Sequence, residues 1–152
     1  MPENLIVSDS SPLIALLDIG YESVLKDLYD RILISDIVRA EIHAEIPEWI
    51  EVSDEYDIKQ FKLLSLHLDE GEASAIALAM AFPKGRILID ERKGRKVATN
   101  LDLRVTGTIG ILIKAKEKGL IDSGRLILEK LENHGFWLSS SLKDLVLQKM
   151  GE

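Results

Sequence analysis

The chain has 152 residues, 46% hydrophobic and 30% charged, the make-up of a globular protein with length for one domain and a real core. It has no cysteine, which excludes disulfides, thiolate zinc sites and cysteine nucleophiles. A net charge of −7 argues against a protein that coats nucleic acid electrostatically, while leaving open an enzyme whose carboxylates gather around cations.

The first strand is Leu5-Ile-Val-Ser, which delivers Asp9 to its carboxyl end. Ser10-Ser11-Pro12 then opens a helix, with Ser10 or Ser11 as cap and Pro12 in the first turn. Gly20 breaks it, and residues 21–29 read as a second short helix. Residues 31–35 (Arg-Ile-Leu-Ile-Ser) form the next strand. Ser35-Asp36 caps a helix over 37–43 that ends before Pro47, and residues 49–52 form a third strand. Residues 54–68 carry an imperfect helical pattern. Residues 68–72 make a tight acidic turn into the clearest helix, 73–82, whose Ala73, Ile76, Ala77 and Met80 fall at i, i+3, i+4 and i+7.

Pro83-Lys84-Gly85 is a turn, and residues 86–90 are a strand that again ends in an acid, Asp90. A basic helix follows over 92–100, a short strand over 103–106, and a helix over 109–118 closed by Gly119. Asp122-Ser123 caps a helix over 125–132, residues 136–138 read as a last edge strand, and Ser139–Ser141 starts a terminal helix to Met150. Strands alternating with helices predict a mainly parallel sheet covered on both faces, in one domain spanning 1–152. No stretch approaches the length of a membrane span, and the amino terminus lacks the features of a secretory signal, so the expected location is cytoplasmic.

Asp9 and Asp90 each end an apolar strand, and in a parallel sheet both open onto the same edge. Glu41 shares a helical face with Ile37 and Val38, and Glu72 precedes Ile76 by one turn, so both point toward the sheet. Four converging carboxylates repel and raise one another's pKa. A hard divalent cation removes that conflict: Mg²⁺ takes oxygen ligands and needs only a few carboxylates. Asp69, Glu70 and Glu91 stand as substitutes for their neighbours.

Arg92, Lys93, Arg95 and Lys96, with Lys84, Arg86 and Arg104, form the one basic concentration in an acidic chain. They read either as a solvated face or as a phosphate track to the acids, with Arg92 and Arg95 as its substrate-binding members. His43, His67 and His134 are too isolated for a zinc site. Gly107-Thr108-Ile109-Gly110 lacks the ending of a P-loop, and no nucleophile elbow surrounds Ser8, Ser10 or Ser11.

Over nearly its whole length the chain resembles PIN-domain ribonucleases, especially small prokaryotic ones related to VapC-type toxins. The resemblance is carried by Asp9-Ser10-Ser11-Pro12-Leu13-Ile14, by Glu41, by the stretch from Gly71-Glu72-Ala73 to Ala79, by Leu88-Ile89-Asp90-Glu91 with Gly94-Arg95, and by Gly107-Thr108-Ile109-Gly110. The segments at 115–121 and 136–139 look like a little-characterised subfamily. The toxins usually carry Asp where this chain has Glu72.

The resemblance implies a PIN-like three-layer α/β/α fold. It places Asp9, Glu41, Glu72 and Asp90 at the catalytic positions, with Asp9, Glu72 and Asp90 as metal ligands and Ser10 as a supporting hydroxyl. It further implies a Mg²⁺- or Mn²⁺-dependent endoribonuclease acting on RNA, a homodimer, and a small antitoxin protein as partner. Two other readings are a non-catalytic PIN-like domain that binds RNA or protein, and a phosphoacceptor domain. The phosphoacceptor reading lacks its Lys after the late strand at 103–106.

Overall fold

The computed structural model describes residues 4–152. At its centre is a five-stranded, wholly parallel sheet in the order β3-β2-β1-β4-β5, formed by β1 (Leu5–Ser8), β2 (Arg31–Ser35), β3 (Ile50–Ser53), β4 (Arg86–Leu88) and β5 (Arg104–Thr106). All four residues of β1 are buried, so both faces of the central strand are covered. Continuous apolar runs are what a doubly covered parallel sheet requires.

Nine helices among the described residues supply that cover: α1 (Ser10–Ile19), α2 (Ser23–Leu28), α3 (Asp36–Glu41), α4 (Ile58–Leu64), α5 (Glu70–Met80), α6 (Arg92–Asn100), α7 (Thr108–Glu117), α8 (Gly124–Asn133) and α9 (Ser140–Lys149). Helix α5 lies on β1, β2 and β4, with α3, α4 and α6 against it. Its residues from Gly71 to Ala79 are all buried. A helix apolar all round belongs in a core, and its many alanines let it approach the sheet closely. The other set joins α1 with α7 and α8, α2 with β2 and α7, and α7 with α9.

The α/β class and the parallel sheet follow the sequence reading, with local corrections. Neither Ser10 nor Ser11 caps α1: Asp9 occupies the N-cap position, and both serines lie inside the first turn with Pro12. The acidic turn before α5 is shorter than its sequence suggests. The Asp69 carboxylate accepts the Glu72 N–H at 2.8 Å, so the helix begins at Glu70.

Only residues 58–64 of the 54–68 stretch are α-helical, because Asp57 caps there by accepting the Gln60 N–H. Residues 136–138 form no strand. The Phe136 N–H bonds back to the Leu131 carbonyl, which ties the segment to the end of α8, with Leu138 buried and Trp137 81% exposed.

Candidate active site

The strand order reverses direction between β1 and β4, and at such a switch point the diverging helices leave a crevice beyond the carboxyl ends of the strands. Asp9 follows β1 directly, and its N–H bonds to the Leu88 carbonyl of β4. Asp90 follows β4 by two residues, after Ile89 has extended the ladder to Thr106. The two acids therefore flank one crevice.

Asp9 is 4% exposed, and burial pushes its carboxyl up to about 6. A hydrogen bond from the Ser10 N–H opposes that rise, while the charges of Asp69, Glu41 and Asp90 add to it. Ser10 thus acts on Asp9 through its backbone. Asp90 is held differently: the Thr108 N–H donates to its Oδ1 at 2.8 Å and the Thr108 hydroxyl to its Oδ2 at 2.6 Å. This carboxylate sits at the start of α7, where the helix dipole favours an anion.

Glu72 is 7% exposed, and its Oε2 has no hydrogen-bond partner among the described residues. Burial, then a hydrogen bond to Asp69, then the charges of Asp69, Asp9 and Glu91 push it up to about 8. Its surroundings therefore favour the protonated form. Asp69 and Glu91 flank it as the N-caps of α5 and α6, and the Gly94 N–H holds Glu91 below the usual carboxylate value. Glu41 closes α3 as an exposed residue, its carboxylate lying over Gly71 at the mouth of the crevice.

Three glycines seat these side chains. A Cβ on Gly71 would stand 2.1 Å from Glu41 Oε1, and one on Gly94 2.6 Å from Glu72 Oε2. A Cβ on Gly107 would stand 2.7 Å from both Asp90 Oδ1 and Arg95 Nη1. None of the three takes a positive φ, so each serves close approach rather than turn geometry.

Arg95 is half-buried and donates from Nη1 to the Ile89 carbonyl at 3.0 Å. It lines a groove of about 490 Å³ beside Asp90, together with Thr106, Gly107, Gly110 and Lys114. Arg92, Lys93 and Lys96 are exposed on α6. The basic concentration seen in the sequence is divided by the fold. Arg86 and Arg104 begin β4 and β5, and the four residues from Arg86 to Asp90 carry the chain roughly 13 Å at about 3.3 Å each. Lys84, Arg86 and Arg104 accordingly lie at the amino end of the sheet, away from the acids.

Among the described residues no three His, Asp or Glu side chains are arranged to enclose a metal ion. Thr108 takes both oxygens of Asp90, and the Asp69 carboxylate accepts the Glu72 N–H. The donor chemistry nevertheless suits a hard divalent cation. All the groups are carboxylates, one buried oxygen lacks a partner, and two carboxyls stand raised by burial and by neighbouring carboxylates. Mg²⁺ binds through one or two carboxylates while keeping its waters.

A five-stranded parallel sheet with acids at its switch point defines an α/β protein whose crevice lies at the carboxyl ends of its strands. Within that class the chain belongs to the PIN-domain family, whose family model matches residues 5–152. PIN domains are generally nucleases and typically use divalent metals. No curated protein sequence matches the chain. No helix among the described residues is long and apolar enough to cross a membrane.

The residue least visible in the sequence is Thr108, which fixes Asp90, whereas Asp69 and Glu91, which surround Glu72, already stood there as substitutes for their neighbours. The signal for the two acids was their place as N-caps, three residues before Glu72 and Gly94. Thr108 had no such signal, because its partner lies eighteen positions away.

Proposed function

We propose that this chain is a Mg²⁺- or Mn²⁺-dependent endoribonuclease, related to VapC-type toxins and acting as the toxin of a type II toxin–antitoxin pair. The observation that carries the reading is the buried, unpartnered Oε2 of Glu72 in the same crevice as Asp9. An isolated buried carboxyl oxygen costs free energy, and a cation is the partner that would stabilise it. Asp9, Glu72 and Asp90 are the ligands in this reading. A bound Mg²⁺ or Mn²⁺ would supply an activated water and charge neutralisation for in-line phosphodiester displacement.

The chain's own groups have separate tasks. Thr108 holds Asp90 in one orientation, the Ser10 N–H favours the ionised form of Asp9, and Glu41 at the crevice mouth meets the incoming strand. Arg92 and Arg95 receive phosphates, Arg95 from a fixed position and Arg92 from solvent. Replacing Lys93 and Lys96 with Gln should lower the salt slope of RNA binding by about 1.4 (~0.7 for each phosphate no longer neutralised). An unchanged slope would return α6 to a solvated face.

The partners in this proposal are RNA, a second copy of the chain, and a small antitoxin docking near α9, in a single-domain cytoplasmic protein. The decisive experiment is cleavage of a structured RNA in Mn²⁺ by the wild type and by Asp9→Asn. The wild type should cut and EDTA should stop it, while Asp9→Asn should lose ~10²–10³-fold, the scale of losing a main electrostatic contact in catalysis. Cleavage that survives both EDTA and Asp9→Asn would refute the reading. RNA binding without cleavage in the wild type would favour the non-catalytic alternative, which the absence of an enclosed three-carboxylate site among the described residues also favours.

A further inference from the structure

At the amino end of the sheet, on the side away from the acids, lies a pocket of about 620 Å³ lined by Asn4, Phe82, Lys84, Arg86 and Arg104. Its size falls within the ~300–1,000 Å³ typical of small-molecule sites. Arg86 and Arg104 are register partners on adjacent parallel strands, so they project from the same face about 4.8 Å apart. Like charges directly opposite across strands destabilise a sheet.

Among the described residues, the compensation an ordinary structural pair would have is missing. At the same end of the sheet, Arg31 on β2 is held in a bidentate pair by Glu51 on β3, at 2.8 and 2.9 Å. Among the described residues, Lys84, Arg86 and Arg104 have no carboxylate within 4 Å, although the chain carries 26 acids. Arg86 is instead oriented by a hydrogen bond from its Nη1 to the Asn4 side-chain oxygen. Lys84 takes a left-handed φ of 54°, which presents a cation where a turn would favour glycine. Phe82, half-buried, adds an aromatic ring to the pocket wall.

We infer that this pocket binds a nucleotide carrying a terminal phosphate, with the two arginines and Lys84 on the phosphate and Phe82 against the base. Guanidinium groups match phosphate oxygens bidentately, and an aromatic face stacks on any base. The ligand is either a free nucleoside monophosphate or the 5′-phosphate end of an RNA. Each presents the same chemistry. The site is separate from the acidic crevice and does not require it to be catalytic.

The test is calorimetric titration in EDTA, which silences any metal-dependent binding at the other end of the sheet. The probes are AMP, inorganic phosphate, and an RNA pentamer with and without a 5′-phosphate. The wild type should bind AMP more tightly than phosphate, and the double variant Arg86→Gln/Arg104→Gln should weaken AMP binding at least tenfold. Phe82→Leu, a milder change in case the double variant unfolds, should weaken AMP but leave phosphate unchanged. Asp9→Asn should bind AMP as the wild type does, whatever becomes of RNA cleavage.

Tighter binding of the phosphorylated pentamer than of AMP would identify an RNA end as the ligand, and the reverse a free nucleotide. Equal affinity for AMP and phosphate, indifference of AMP to both variants, or no binding by the wild type would overturn the proposal.

Discussion

At the carboxyl ends of the strands the chain gathers Asp9, Asp69, Glu72 and Asp90, with Asp9 and Glu72 almost fully out of water. At the amino ends it sets Arg86 beside Arg104, half-buried and exposed respectively. Both clusters concentrate one sign of charge, but the physics differs. Burial penalises the charged form and neighbouring carboxylates add to the penalty, which is why Asp9 and Glu72 titrate high. Exposed guanidiniums cannot shed protons near neutral pH and rely on water and salt for screening. The acidic end should therefore answer to pH and cations, and the basic end to anions and ionic strength.

The largest expected effect breaks the comparison at the acidic end. Asp9 and Glu72 have folded-state pKa values raised above their unfolded ones, so between about pH 4 and their folded values the native state holds the extra protons. Stability is then greatest at low pH and falls as pH rises through 6 for Asp9 and on toward 8 for Glu72. At about 1.4 kcal/mol per pH unit per group, acting over about one unit for Asp9 and nearly three for Glu72, the metal-free protein should lose on the order of 5 kcal/mol between pH 5 and pH 8. Urea unfolding in EDTA at three pH values measures this, and Mn²⁺ should restore more at pH 8 than at pH 5 because protons compete with metal. A flat stability profile would mean that the two carboxyls are not held as described.

Next in size is Gly94→Ala. Its new Cβ would press on Glu72 Oε2 and on Ile89 Cδ1, both at 2.6 Å and both in buried surroundings. Overpacking should cost about 2 kcal/mol, less up to ~1 regained from helix propensity. The urea midpoint should fall, and metal affinity should fall with it.

Gly71→Ala tests the same crevice at its mouth and should have the opposite sign. The atoms in its way end the exposed, flexible Glu41 side chain, so the chain swings aside and helix propensity gives a gain of ~0.5–1 kcal/mol. A loss as large as that of Gly94→Ala would show that Glu41 is rigidly fixed. Smallest is Arg104→Glu at the basic end, which gives Arg86 the kind of partner that Arg31 has in Glu51. Stability should rise by ~0.2–1 kcal/mol, less in high salt, while AMP binding disappears.

The sequence carried the fold well because its strands are short apolar runs and five of its helices are capped by an Asp or Ser side chain. β2 and α6 lie at the positions the sequence suggested, and α1, α5 and α7 within a few residues. Residues 136–138 misled because a run of three apolar residues fits a strand and an extended link between helices equally. Asp9 and Asp90 were legible at the switch point because each directly follows an apolar run. The grip of Thr108 on Asp90 was not, since no local pattern announces a hydrogen bond between elements far apart in the chain. The division of the basic residues was missed for a related reason: closeness in sequence hides the length of an intervening strand.

The sheet order also sets a timetable for synthesis. β1 leaves the ribosome first, yet one of its neighbours is β4, which begins at Arg86, and Asp90 gains its partner only with Thr108. The nascent chain can pair β1 with β2 early and still has only half of a crevice. Long-range parallel pairing is slow because the loop must close before the contact repays it. The acidic pocket therefore stays incomplete until α7 begins, and no fragment ending before Thr108 can contain all of it.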